Sequence, residues 1–235
     1  MEEAQAHYQS ALAIHREVGD RRSEGIVLGN LGNVDMDRGH IEQGQTHYEA
    51  ALAIHREVGS RVVEGIALAN LGWVHPNHGR MNEAREHYDL ALAISREVAN
   101  PVHEGVVLCY VGALEVDQGR MAQAEAHLDQ ALLVNRAVGN RCSEGVALGD
   151  LSTGQGRVGE ATEALRQGEA LLREIDNPFE LANLFCIRAR AEIAAGGLGL
   201  ARATLAEAET IAARIGATPA SGLVRQIIRV CESLA

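Results

Sequence analysis

HYQSALAIHREVGDRRSEGIVLGNLGNV occupies residues 7–34, and HYEAALAIHREVGSRVVEGIALANLGWV occupies residues 47–74. The pattern returns as HYDLALAISREVANPVHEGVVLCYVGAL from His87 and as HLDQALLVNRAVGNRCSEGVALGDLS from His127, so each copy begins 40 residues after the one before it. Self-similarity at a fixed period of this length marks a stacked array. One such unit cannot bury its apolar face alone, whereas a stack of them can.

Each copy reads as two helices. The first is predicted over about 22–38, with Ile26, Leu28, Leu31 and Val34 at helical spacing and Gly39 as its stop. The second is predicted over 41–58, with Tyr48, Ala51, Leu52 and Val58 turned inward and Gly59 closing it. At 1.5 Å per residue each helix is on the order of 25 Å long. Gly32, Gly72 and Gly112 recur inside the first helices, where glycine costs about 1 kcal/mol against alanine. A neighbouring helix crossing very close at those points is the expectation.

The pairs Leu31-Gly32 and Leu71-Gly72, the inter-helix Gly39, Gly79 and Gly119, the small Ala84 and Ala124, the aromatic Tyr48 and Tyr88 and the closing Ala51, Ala91 and Ala131 carry a resemblance. Together they resemble the tetratricopeptide repeat family in its long, 40-residue form, as in kinesin light chains and bacterial signalling proteins. The resemblance covers nearly the whole chain. It implies an all-α fold, a right-handed α-solenoid of about five helix-turn-helix repeats with a C-terminal capping helix. The expected divisions are an unpaired second helix at 1–20, repeats at 21–59, 60–99, 100–139, 140–176 and 177–216, and the capping helix at 219–234.

The departures from the family pattern are Asp35, His75 and Glu115 where an aromatic is usual, and Gly44 in place of the small alanine. The fourth unit is three residues short, so its first helix is expected to contract to 142–153. In the last helix Arg225 and Arg229 are expected to point outward and solvate the end of the stack. Met1 aligns with Ile41, Met81 and Met121, so the chain opens on a second helix. Either it belongs to a longer array or a partner covers that face, a second copy of the chain among the candidates.

Composition narrows the function. Aromatics make up 3% of the chain and there are 4 prolines, while hydrophobic residues reach 46%. That is a helix former with a continuous core. A net charge of −11 argues against nucleic acid and anionic membrane surfaces, both of which want a basic face. No apolar run approaches the length of a membrane helix, and MEEAQAHYQS lacks the features of a secretory leader. Cys109, Cys142, Cys186 and Cys231 form no CxxC pair and read as small hydrophobes in a reducing compartment. A cytoplasmic location is the expectation.

In the resembled family the first helices line a concave groove. Carried over, that places Asn30, Asn33 and Asp37, then Asn70, Trp73 and Asn77, then Tyr110 and Asp117, and finally Asp150 on the groove side. Amides both donate to and accept from a peptide backbone, so Asn30 and Asn70 suit an extended ligand; the other reading is that they close bonds between neighbouring helices. Trp73, the only tryptophan, is either a binding anchor or packing against Tyr110 or Pro76. Pro76 is expected to kink or end its helix near His75. Asp35, Asp37, Glu115, Asp117 and Asp150 would make the groove mildly negative and favour a neutral or basic peptide over an acidic one.

His7, His47, His87 and His127 lie a whole repeat apart and cannot meet at one metal, and His15 and His55 are expected on the solvated face. His75 and His78 are three apart but lack further ligands for zinc. No nucleophile elbow, P-loop, zincin motif or dinucleotide fingerprint is present, and Gly154-Gln155-Gly156-Arg157 reads as a turn. The expectation is a non-enzymatic scaffold without cofactor or metal that holds a protein or peptide, as part of a larger signalling protein. A self-associating module and a ligand-sensing regulatory domain are the alternatives.

Overall fold

The computed structural model describes residues 2–74, 80–155, 158–174, 176–219 and 221–234, with side chains except those of 2, 152–161 and 164. Among the described residues there are twelve α-helices and no strand. They are α1 Glu2–Val18, α2 Arg21–Asp37, α3 Ile41–Glu57, α4 Arg61–Val74, α5 Met81–Glu97 and α6 Pro101–Asp117. There follow α7 Met121–Val138, α8 Arg141–Gln155, α9 Val158–Glu174, α10 Pro178–Ala194, α11 Leu198–Arg214 and α12 Gly222–Glu232. The chain forms two compact units, one of Met1–His103 with Thr218–Gly222, the other of Glu104–Ala217 with Leu223–Ala235.

The joints between helices repeat one device. The amides of Asp20, His40, Ser60, Asn100, Arg120 and Asn140 each donate to the carbonyl five residues back, at 2.8–2.9 Å. This is the Schellman closure, which needs a left-handed residue just before the donor. Gly19, Gly39, Gly59, Gly119 and Gly139 supply it with φ between +64° and +77°; Ala99, at +50°, is the exception. The next helix then starts on a side-chain cap: Asp20, Asn100, Asn140 and Asn177 each accept from the amide three residues on.

The recurring helix glycines make room for side chains rather than for a bare helix. A Cβ on Gly32 would lie 2.5 Å from Tyr48 Cε1, one on Gly72 the same distance from Tyr88 Cε1, and one on Gly112 2.5 Å from Leu128. Each large second-helix residue therefore lies flat on the first helix of its own hairpin. Around this contact in the first unit, Leu12, Val27, Leu28, Leu31, Ala51 and Ile54 form a continuous core.

A second repeating contact is ionic. Glu24, Glu64 and Glu144 are buried, each between two arginines: Arg16 and Arg21, Arg56 and Arg61, Arg136 and Arg141, at 2.5–3.1 Å. Arg21 continues to Glu57 at 2.6 Å and Arg61 to Glu97. The pair of arginines holds the Glu24 carboxyl below its ordinary range, Arg16 contributing most. Pro101 stands where Arg21, Arg61 and Arg141 stand in the other repeats.

Four expectations need correction. Val58 is a helix cap 39% exposed, because the chain turns there. His55 is only 1% exposed: it fills the space left by Gly25, whose absent Cβ would lie 2.7 Å from the ring. α8 runs to Gln155, so Gly154 and Gln155 are helical, and Gly156 and Arg157 lie outside the described residues. Arg229 is exposed, but Nε and Nη2 of Arg225 are buried rather than outward. The kink expected at His75 and Pro76, the His75–His78 pair and Asn77 also lie outside the described residues.

Candidate functional site

Side chains on one helix share a face at spacings of three and four, and the 40-residue repeat brings equivalent faces side by side. In the first unit Ile26, Asn30, Asn33 and Asp37 share one face of α2, and Val62, Ile66, Asn70 and Trp73 share the equivalent face of α4. Ile26, Val62, Ile66 and Val102 are 42%, 45%, 40% and 50% exposed, which is unusual for apolar residues in one row of a helical stack. Asn30, Asn70 and Asp37 are half-buried beside them, and Asn33 is exposed. The Asn33 Oδ1 accepts from the Tyr48 hydroxyl at 2.6 Å, so it belongs to the hairpin's own bonding.

Trp73 is half-buried, and what covers it comes from the far end of the chain. A Cβ on Gly222 would overlap the Trp73 ring at Cη2, and the Thr218 hydroxyl donates to the Arg38 carbonyl at 2.7 Å. Pro76 lies outside the described residues. No repeat signal could have found the packing on Trp73, because residues 218–222 lie outside the 40-residue pattern.

In the second unit the expected residues separate. Asp117 is exposed and lies 3.8 Å from Arg229 of α12. Tyr110 is half-buried, and burial raises its hydroxyl pKa. Asp150 is 3% exposed and pairs with Arg190 at 3.2 Å. Burial raises its pKa against the opposing pull of Arg190. Cys109 is buried with its thiol pushed up by desolvation, and burial holds the Cys142 thiol at about 11. A thiol held protonated in this way is a weak nucleophile.

The acidic lining is thinner than the sequence suggested. Asp35 and Glu115 are each 1% exposed and sit inside their hairpins, where His47 Nδ1 meets Asp35 at 2.7 Å and His127 Nδ1 meets Glu115 at 2.8 Å. A carboxylate and a histidine twelve positions apart, on facing helices, is a signal the sequence carried but single-helix periodicity does not expose. Of the five acids only Asp37 and Asp117 remain to colour the first-helix face.

Among the described residues no three His, Cys, Asp or Glu side chains are grouped to hold a metal, and no helix is long and apolar enough to cross a membrane. The four cysteines are free thiols. On the second-helix side of the first unit a cleft of about 310 Å³ is lined by Gln45, Glu49, Arg56, Arg80, Glu83 and His87 around Leu52, Ala53 and Leu71, a surface of mixed charge with an apolar floor.

A family model described as the MalT-like TPR region matches residues 1–230. No curated protein matches the chain. Among solved structures, BtubC from P. vanneervenii is similar with a TM-score of 0.61 at 18% identity, over 92% of each chain. A Rap protein complexed with Competence and Sporulation Factor is similar with a TM-score of 0.64 at 14% identity, over 98% of this chain and 70% of that one. Aspartyl phosphate phosphatase F from Bacillus subtilis follows at 0.55 and 13%, over 93% of this chain and 62% of that one. At these identities the likeness is one of fold.

Proposed function

The chain belongs to the MalT-like tetratricopeptide repeat family, and from that premise we propose that it is a non-enzymatic scaffold whose first-helix face holds a peptide or protein segment. The observation that carries this is the row of Ile26, Val62, Ile66 and Val102, left 40–50% exposed in the first unit beside Asn30 and Asn70. Apolar side chains supply the area a ligand must bury, and neighbouring amides supply the directional bonds that fix its backbone. One structural neighbour, the Rap protein, was solved in complex with Competence and Sporulation Factor, which supports a binding role for this fold. The net charge of −11 steers a neutral or basic segment toward the chain better than an acidic one. With four free thiols the chain suits the cytoplasm, and we place it within a larger signalling protein.

The test is affinity capture from lysate with the full chain beside an Ile26→Glu/Ile66→Glu variant, with circular dichroism checking the fold. A partner captured by the natural chain and lost by the variant supports the reading. The same proteins captured equally by both would move binding off the first-helix face. A second reading rests on α1, where Ile14 and Val18 are 57% and 68% exposed: this helix pairs with a second copy. Mass that rises with concentration, and stops rising on Ile14→Glu, would favour it.

A further inference from the structure

α1 carries the side chains that its counterparts in the first unit bury against a first helix. Tyr8, Ala11, Ile14 and His15 stand 40 residues before Tyr48, Ala51, Ile54 and His55 of α3, which are 3%, 1%, 5% and 1% exposed. The equivalents on α5, Tyr88, Ala91, Ile94 and Ser95, are buried as deeply. On α1, Ile14 is 57% exposed, and Tyr8, Ala11 and His15 are only half-buried. Leu12 of the same helix is buried in one cluster with Val27, Leu28 and Leu31 of α2. α1 is therefore seated on one side and open on the other.

The contacts that bury the counterparts state what the open side fits. A Cβ on Gly25 of α2 would lie 2.7 Å from the His55 ring and 3.1 Å from Ile54, and one on Gly32 would lie 2.5 Å from Tyr48. Gly65 and Gly72 of α4 stand in the same way under Ile94 and Tyr88. Three residues past Gly32, Asp35 meets His47 at 2.7 Å; in the second unit Glu115, three past Gly112, meets His127 at 2.8 Å. Four residues before Gly25, Arg21 meets Glu57 at 2.6 Å, and Arg61, four before Gly65, meets Glu97. Positions that rise along the first helix meet positions that fall along the second, so the two run antiparallel. On α1 the groups matching His47 and Glu57 are His7 and Glu17, both exposed. A second copy's α1 does not supply this seat: residues 2–18 hold no glycine, so a Cβ stands wherever Tyr8 must lie.

We propose that the open side of α1 is a docking surface for a helix of a partner protein, antiparallel to α1 and of one pattern. That helix has two glycines seven apart, an arginine four before the first and a carboxylate three after the second. The glycines receive Ile14 with His15 and then Tyr8, the arginine meets Glu17 and the carboxylate meets His7. This surface is separate from the first-helix face, and neither depends on the other.

The probe is a fluorescein-labelled peptide of residues 20–38, which holds Arg21, Gly25, Gly32 and Asp35. A lactam between two of its polar positions keeps it helical, as circular dichroism checks before use. Its anisotropy is measured against the full natural chain, with sedimentation of the chain alone beside it. Binding in the micromolar range is expected. A peptide with Gly25→Ala and Gly32→Ala is expected to bind about tenfold weaker or worse, although alanine is the better helix former. Ile14→Glu in the full chain is expected to weaken binding of the first peptide to a similar degree.

No binding by the helical peptide would overturn the proposal, as would equal binding by the alanine peptide or by Ile14→Glu. Mass that rises with chain concentration and is unmoved by excess peptide would overturn it too, by making a second copy the occupant of α1. Should Ile14→Glu not fold, the two peptides compared on the natural chain decide the question alone.

Discussion

At the scale of the residue, the repeats show one position solved three ways. Over the backbone exposed by Gly25 lies His55, over Gly65 lie Ile94 and His103, and over Gly105 lies Asn135, whose amide donates to the Gly105 carbonyl at 3.3 Å. Asparagine puts no titrating group in this buried spot, although its Oδ1, like the Nδ1 of His55, is buried with no hydrogen-bond partner. Burial lowers the His55 pKa, partly opposed by its bond to Gly25, and burial lowers that of His103 as well. The sign of the consequence follows. With the folded pKa below the unfolded value of 6.5, the stability of the neutral ring is whole above pH 6.5 and declines as pH falls toward the folded pKa. His55→Asn is therefore expected to lose less melting temperature between pH 7.5 and pH 5.5 than the natural chain does, with His103 leaving a residual slope. Equal slopes would show that His55 does not titrate with unfolding. The burial of His55 was not legible in the sequence, because its recurrence with His15 looked like a solvated stripe. Only the glycine thirty residues earlier, on a facing helix, marks the cavity it fills.

At the scale of the element, helix boundaries were legible almost throughout, since the glycine stops and the 40-residue offset point to the same joints. α3 at Ile41–Glu57 and α6 at Pro101–Asp117 fall where the repeat puts them. The exception is instructive. The joint between α5 and α6 closes on Ala99 rather than glycine, with Asn100 donating to Ser95 at 2.8 Å as in the other joints. A left-handed alanine costs roughly 1–2 kcal/mol, and glycine gives back about 0.4–1 kcal/mol through its freer unfolded chain. Ala99→Gly is thus expected to stabilise by on the order of 0.5–1 kcal/mol, raising the urea midpoint with an unchanged slope. Gly59→Ala, at φ +64°, should do the reverse. A lower midpoint for Ala99→Gly would mean that Pro101 at the start of α6 already fixes the turn. α8 was read too short for a related reason: three residues lost from a repeat do not say which helix gives them up.

At the scale of the whole molecule, a repeat array propagates its stability between neighbours, because each unit touches little beyond the next. Within the first unit α1 packs on α2, α2 on α3, α3 on α4 and α4 on α5; within the second α7 packs on α8, α8 on α9 and α10 on α11, with α10 also against α8 and α9. The fold was legible for the same reason, one 40-residue unit written several times. The candidate face was legible only as far as the repeat reaches: it fixes which side of α2 and α4 carries Asn30 and Asn70, and says nothing of residues that follow the last repeat. Thr218 is 180 residues from the Arg38 carbonyl it bonds, and no local pattern anticipates a bond across such a span. It has a measurable consequence. In a chain stabilised by nearest neighbours alone, a change at residue 222 would alter amide exchange only in the elements next to it in sequence. Because Gly222 lies on Trp73 and Thr218 on the end of α2, Gly222→Val is expected to speed exchange in the last turns of α2 and α4 while leaving their first turns unchanged. Hydrogen exchange followed by mass spectrometry reads this peptide by peptide. Faster exchange confined to the peptide that holds Thr218–Gly222 would show that this segment rests on α2 and α4 without stabilising them, and the long-range bond would then be a consequence of the fold rather than one of its supports.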